Sequence, residues 1–371
     1  MSLPAISIII GFKNRELERV KYSLDSLANQ TIKDFDLVFI DYGSDDSVAK
    51  AAKELVSEYS FAKYYYSDAR GWFWTRAHAL NTGLQYATGQ IILFSDIDLV
   101  LESNFLSKVA ALDYTKLFYT FSCYYLPEHY DLQQLINKGD NFSENYVGLC
   151  AVNSEQVKSI GGFDEYYMVW GVEDDDLYYR LSQNELLRKE QPANNFKVYH
   201  QWHPEFYNKL PAAWYNHMIY YYSLHRKNDV YPNYSKAQPQ RYLFAMIENA
   251  QYEKYIEIKL KSKLITAFQN FWVALEMMLP EEIRWFRFSK KDNFAKGKLK
   301  DTIPFINKLL GKQQLFNYRF IRKEEAGSSI NITPEDVRNA LHFFVGVNRH
   351  IIKDYYYRED ETSIVFIFKK V

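Results

Sequence analysis

The chain has 371 residues, enough for one large domain or two and for a substantial buried core. A formal net charge of −1 gives no global basic field for nucleic acid, and two cysteines, Cys123 and Cys150, are too few for a disulfide scaffold. Aromatic residues make up 18% of the chain, with 32 Tyr and 26 Phe, side chains suited to wet amphipathic surfaces such as sugar-binding faces or membrane interfaces. The apolar start Leu3 to Ile10 is too short for a secretory signal, and no stretch approaches the ~20 apolar residues of a membrane span. A soluble cytoplasmic protein is the expectation.

Strand and helix signals alternate through the first ~120 residues. Ile6 to Ile10 reads as a buried strand, and Glu16 to Gln30 carries helical spacing through Leu17, Val20, Leu24 and Leu27. Phe35 to Ile40 is a second strand, closed by the turn Asp41 to Asp46. A helix from Ser47 to about Tyr59 follows, then a short strand at Ala62 to Tyr66, a helix at Arg76 to Ala87 and a strand at Ile91 to Phe94. This order implies an α/β protein with a mostly parallel, Rossmann-like sheet and ligands at the carboxyl ends of its strands. Residues 100–210 read as an α+β continuation, so 1–210 is expected to form one domain. From about Pro211 the pattern turns Tyr- and Lys-rich and helical, which predicts a mainly helical region over 211–371. Within it, Thr333 caps a helix from Pro334 to about His350, and Ser363 to Phe368 reads as a terminal strand.

Four segments carry chemistry. In the first, Gly11-Phe12-Lys13-Asn14-Arg15, a strand delivers two cations and a ring to the ligand edge of the sheet; a basic helix start opposes the helix dipole, which favours a nearby anion. The second runs from Arg76 to Gly83, a helix leading into Phe94-Ser95-Asp96-Ile97-Asp98-Leu99. Alternate residues of an extended chain face the same way, so Asp96 and Asp98 can share one cavity. Such a pair also occurs in caps and turns, but at the end of an apolar strand a divalent cation such as Mg²⁺ or Mn²⁺ removes its repulsion and desolvation. The third is Gly161-Gly162-Phe163, then Trp170-Gly171-Val172-Glu173-Asp174-Asp175-Asp176. A helix N-terminus accounts for one or two of those acids, and a carboxylate beside a hydroxyl substrate is a natural general base. Trp170 offers an apolar face for a sugar ring. The fourth, Tyr199-His200-Gln201-Trp202-His203, holds two histidines that can ligate metal, and spacing does not choose between them.

Taken in order, these segments resemble the metal-dependent GT-A glycosyltransferases, and more narrowly the β-1,4-galactosyltransferase and chondroitin-polymerase type. The family's Phe-Arg-Asn-Arg is matched by Phe12-Lys13-Asn14-Arg15, and Asn-Arg-Ala-x-x-Leu-Asn-x-Gly by Thr75 to Gly83. Its Phe-Ser-Asp-Val-Asp-Leu is matched by Phe94 to Leu99, Tyr-Phe-Gly-Gly by Tyr146-Val147-Gly148-Leu149, and Trp-Gly-Gly-Glu-Asp-Asp-Asp by Trp170 to Asp176. The resemblance covers roughly residues 5–205.

It implies contacts of Phe12, Lys13, Arg15 and Arg76 with a nucleotide diphosphate, Asp96 on ribose or donor sugar, and Asp98 as direct metal ligand. Asp41 is the expected reader of uracil. Tyr146 sits where the family tunes the donor hexose, Glu173 would hold donor or acceptor, and Asp174 would deprotonate the acceptor hydroxyl. His200 or His203 would complete the metal shell, and the family's Tyr-His-Gln pattern favours His200. The expected function is inverting transfer of galactose or an N-acetylhexosamine from a UDP-sugar to a saccharide or lipid-linked saccharide, in surface polysaccharide synthesis. The rival from another class is a sugar-nucleotide-binding scaffold without turnover. Lys13 replaces a family Arg and cannot fork onto phosphate, and Val172 replaces a Gly, which would narrow the acceptor subsite. In the C-terminal third, Lys259 to Ile265, Phe268, Phe271, Trp272, Leu275 and Arg284 to Phe288 mix cations and aromatics at helical spacing. They form a face for an anionic membrane or, as the preferred reading, for packing on the catalytic domain or in a homo-oligomer.

Overall fold

The computed structural model describes residues 5–128, 130, 143–165, 167–169, 171–204, 216, 255–259, 271, 274–275, 277–289, 334–348, 351–360 and 363–371. Among these the chain forms two compact units. The first holds the described residues up to 204, apart from Gly71–Phe73, together with Asn216; the second holds Gly71–Phe73 and those from Tyr255 onward.

The first unit is built on a nine-stranded sheet. Strands β1 (Ile6–Phe12), β2 (Phe35–Tyr42), β3 (Ala62–Ser67) and β4 (Ile91–Ser95) lie side by side in the order β3-β2-β1-β4, all parallel. Helices α1 (Leu17–Ala28), α2 (Asp46–Ser57) and α3 (Arg76–Leu84) make the crossovers. β1 and β2 are buried along almost their whole length, as a parallel strand covered on both faces requires. Gly83 lets α3 lie close to this sheet, since a Cβ there would stand 2.3 Å from Ile9 Cγ2.

Beyond β4 the sheet becomes mixed. β5 (Leu99–Leu101), helix α4 (Phe105–Ala110), β6 (Leu117–Tyr125), β7 (Glu144–Asn153), helix α5 (Ser154–Ser159), helix α6 (Glu173–Gln183), β8 (Leu187–Gln191) and β9 (Val198–His200) follow in chain order. β7 runs antiparallel to β4 with Phe94 opposite Cys150, and β9 pairs with β5 so that His200 faces Leu99. The start of β7 and the end of β9 therefore lie by the carboxyl end of β4, where Asp96 and Asp98 emerge. Cys123 and Cys150 are buried free thiols in this sheet.

Over residues 284–288 the described residues of the second unit depart from the helical spacing expected there. The unit's described residues include a four-stranded sheet in the order β10 (Tyr255–Lys259), β11 (Ile283–Ser289), β13 (Ser363–Lys370), β12 (Ile352–Glu359), the helix α7 (Pro334–Val347) and helical residues at Phe271, Ala274 and Leu275. The error came from reading Arg284-Trp285-Phe286-Arg287-Phe288 at helical period. In a strand these residues alternate, and Phe286 and Phe288 point to one face, fully buried with Phe271, Phe344 and Phe366. Two aromatics of the face read as open to a membrane or to packing are thus core of this unit. The predicted helix at Pro334 and the terminal strand at Ser363 are present, whereas Thr333, Trp272 and the Lys261–Phe268 stretch lie outside the described residues. Gly71–Phe73 sit against β12: Tyr357 N–H donates to Gly71 C=O, Trp72 Nε1 to Asp354, and Phe73 N–H to the Tyr355 hydroxyl.

Candidate active site

Three residues converge where β4 gives way to β5. Asp98 Oδ2 lies 3.3 Å from His203 Nε2, and Asp98 Oδ1 lies 3.7 Å from His200 Nε2. One ligand atom from each residue falls within 4.8 Å of the others. Burial works to raise the Asp98 pKa, but the His203 hydrogen bond and the charges of His200, His203 and Arg15 outweigh it and hold the carboxyl down at about 2. His203 is raised in turn by its bond to Asp98. Asp98 Oδ1 is buried and accepts no hydrogen bond. An anionic oxygen left in that state, beside two imidazoles, suits a divalent ion. One carboxylate with two imidazoles fits Mn²⁺ or another first-row transition ion better than Mg²⁺, which favours an all-oxygen shell. Both histidines that spacing left open are at the site.

Asp96, two residues earlier, belongs to a different cluster. Its Oδ1 accepts from Arg76 Nε at 2.7 Å. Arg76 also donates Nη2 to Gly148 C=O at 2.8 Å and places Nη1 3.6 Å from Glu173 Oε1. Burial works against this guanidinium's charge, but Asp96, Glu173 and Asp174 together raise its pKa. Glu173 moves upward too, because burial and the neighbouring Asp174 outweigh Arg76. Arg76 thus ties the acid at the strand end to the first acid of α6.

α6 begins with Glu173-Asp174-Asp175-Asp176 in its first turn, where the helix dipole favours negative charge. Burial sorts the four. Asp176 is buried, accepts from Tyr167 Oη and from Arg180 Nε, and Arg180 Nη1 reaches on to Gly162 C=O at 2.6 Å. It is structural. Asp174 is half-buried, and its Oδ1 accepts only the Asp175 N–H among the bonds resolved here. Val172 precedes the helix at φ +75°, a left-handed conformation that a β-branched residue rarely adopts, which explains why the resembling family has Gly there. Gly161-Gly162-Phe163 is fastened to α3: Asn81 Nδ2 donates to Phe163 C=O and Phe163 N–H donates to Asn81 Oδ1. A Cβ on Gly162, at φ +70°, would stand 2.4 Å from Asn81 Oδ1.

At the ends of β1 and β2, Lys13 Nζ donates to Ala69 C=O at 3.1 Å and lies 5.4 Å from the Tyr42 ring centroid. Asp41 is fully buried, accepting from Ser44 N–H and Tyr64 Oη; burial raises its pKa against these bonds and the charge of Lys13. Phe12 is also fully buried, its ring 5.3 Å from Phe39, so in this conformation it presents no surface to a ligand. Arg15 is half-buried and acts on Asp98 through its charge. Tyr146, at the start of β7, is 42% exposed with the Arg188 guanidinium 5.9 Å from its ring centroid. Trp170 lies outside the described residues.

Sequence reasoning missed the braces. Gln201 is fully buried: its N–H donates to Asp98 C=O at 2.9 Å, its Nε2 to Arg19 C=O, and its Oε1 accepts from Tyr130 Oη. Tyr125 stacks on His200 with centroids 4.6 Å apart. Asn216 Nδ2 bridges Met168 C=O and Gly171 C=O, bracing the turn before α6. The polar Gln between two histidines was the only one of these with a readable signal.

Comparison with known proteins bears on this geometry. The family model described as "Glycosyl transferase family 2" matches residues 7–120, and the one described as "N-terminal domain of galactosyltransferase" matches residues 136–203. Over these residues the chain is similar to glycosyltransferases of both families. Bovine (Bos taurus) beta-1,4-galactosyltransferase 1 is 29% identical over 185 residues, 48% of this chain and 36% of that protein. The cholesterol galactosyltransferase of Borreliella burgdorferi is 32% identical over 101 residues, 27% of each chain. The chain thus spans 36% and 27% of the length of these two curated relatives. Among solved structures, S. aureus TarS bound to UDP-GlcNAc gives a TM-score of 0.43 at 16% identity, covering 54% of this chain and 59% of that one. Among the described residues, no helix is long and apolar enough to cross a membrane.

Proposed function

We propose that this protein is a metal-dependent, inverting glycosyltransferase that moves a hexose from a UDP-sugar to a saccharide hydroxyl, free or lipid-linked, in the assembly of a surface polysaccharide. The observation that carries the reading is the triad Asp98, His200 and His203, set beside the Arg76 cluster that joins Asp96 to Glu173. Both named relatives are galactosyltransferases, which favours galactose as the hexose.

Asp98, His200 and His203 would hold the ion. When bound, it supplies positive charge against the departing diphosphate. The chain's own residues do the rest. Arg15 and Lys13 stand at the carboxyl end of β1, where a diphosphate can be met by cations. Asp41, fully buried, acts through the Tyr42–Ser44 turn that it holds beside the nucleotide end. Arg76 fixes Asp96 for the ribose or donor sugar and keeps Glu173 in place against it. Asp174 takes the proton of the attacking hydroxyl on the face of the sugar opposite the diphosphate. Inversion follows from that single displacement. Tyr146, exposed at the start of β7, contacts the hexose and helps select it.

A screen of UDP-sugars against the purified chain, with and without Mn²⁺, tests the reading. Turnover of UDP-galactose that requires Mn²⁺ is expected. Turnover of no UDP-sugar with either Mn²⁺ or Mg²⁺ contradicts it.

A further inference from the structure

Arg19 is the third residue of α1, and its side chain is only 8% exposed. A guanidinium keeps its charge in a protein, so burying it calls for acceptors on its five N–H groups. Its Nε lies 3.2 Å from Glu16, a carboxylate that is itself 68% exposed. Among the described residues neither Nε nor Nη2 has a hydrogen-bond acceptor in good geometry. The placement is unfavourable on a second count, because a cation in the first turn of a helix opposes the dipole. A buried, under-satisfied cation at that position is poor design for stability alone.

Its surroundings point to a ligand. The Arg19 carbonyl accepts from Gln201 Nε2 at 3.0 Å, and the Gln201 N–H in turn holds the Asp98 carbonyl. Gln201 thus fastens the start of α1, which carries Arg19 and follows Arg15, to the segment that holds Asp98. We propose that Arg19 is a phosphate-binding residue of this site, its Nε–H and Nη2–H turning from the exposed Glu16 to donate to one phosphate group; the assignment rests on the sugar-nucleotide reading above. That phosphate comes either from the donor diphosphate or from a phosphate carried by the acceptor. Two N–H donors on one planar fork match two oxygens of such a group.

Calorimetric titration of the full chain with UDP in Mn²⁺, followed by inorganic phosphate into the UDP-saturated protein, separates the sources. Wild type, R19Q, R19K and E16A are compared. If Arg19 grips the donor, R19Q weakens UDP by roughly tenfold or more and leaves the phosphate step alone. If it serves the acceptor, R19Q spares UDP and abolishes the phosphate step. In either case R19K is intermediate, and E16A binds at least as tightly as wild type because Arg19 has lost its carboxylate partner. R19K and E16A also decide the matter should R19Q not fold. Variants that bind both probes as wild type does, even with a lowered Tm, overturn the assignment and leave Arg19 a packing residue. Failure of wild type to bind UDP sinks the sugar-nucleotide reading instead. Inorganic pyrophosphate then replaces UDP: binding that depends on Arg19 supports its role, and binding that does not overturns it.

Discussion

Asp96 and Asp98 leave the same strand two residues apart, yet they live in opposite electrostatic circumstances. Asp96 is spoken for, since Arg76 donates to it at 2.7 Å and turns next to Gly148 and Glu173. Asp98 faces two imidazoles and keeps one buried oxygen that accepts no hydrogen bond. The first cluster closes on itself with protein charges. The second is left for an ion to complete. On the proposed reading the Asp-x-Asp pair is two devices, one organising the donor sugar through Arg76 and one holding a metal ion, with Arg76 linking the first to Glu173 at the start of α6.

The largest effect expected of any change lies where the first cluster meets α6. D174N removes the proposed base and should lower sugar transfer by about a thousandfold while UDP affinity stays near that of wild type, since general-base losses run on the order of 10²–10⁴. Transfer at wild-type rates would move the base elsewhere. R76Q comes next. It leaves Asp96 and the buried Glu173 without their counter-charge, and removing one partner of a buried pair costs about 3–5 kcal/mol. A marked fall in Tm is expected, partly restored in the double variant R76Q/E173Q. A double variant no better than R76Q would show that Glu173 does not depend on Arg76.

E173Q sharpens the comparison through pH. Burial and Asp174 raise the Glu173 pKa above its ordinary 4.5. A carboxyl whose folded pKa is raised binds its proton better in the native state, so its contribution to stability is present in acid and is lost as pH rises. E173Q keeps no such loss. Its Tm advantage over wild type should therefore be absent near pH 4 and grow from about pH 4.5 toward neutrality. An advantage that shrinks with pH would reverse the assigned direction. The smallest effect belongs to V172G. Relief of the φ +75° conformation and loss of a buried side chain are each on the order of 1–2 kcal/mol and opposed, so stability should change little. The acceptor KM should move more than the KM for UDP-sugar. An equal shift in both would place Val172 away from the acceptor.

Much of this was legible in the chain. The apolar runs Ile6–Ile10 and Ile91–Phe94 announced parallel strands because burial on both faces leaves no alternation to misread. The ordered motifs placed Asp96, Asp98, Arg76, Glu173 and Asp174 at one edge of the sheet. Two histidines three apart could not be ranked by spacing; β9 pairing with Leu99 brings one of them to Asp98, and the chain beyond supplies the other. The roles within the acidic run were hidden, because only burial separates structural Asp176 from half-buried Asp174. Phe12 misled, since a ring at a strand end can point to ligand or core, and here it packs on Phe39. The C-terminal unit was the least readable. Dense aromatics at β11 satisfy a helical stripe and a strand's alternation nearly equally, and only pairing with β13 decides between them.

Titration of Mn²⁺ into the purified chain, followed by its electron paramagnetic resonance, bears most directly on the difference between the two acids. The account predicts one bound ion per chain in wild type, retained in D96N and lost in D98N and in H203A. An ion that survives D98N, or one that disappears with D96N alone, would contradict it.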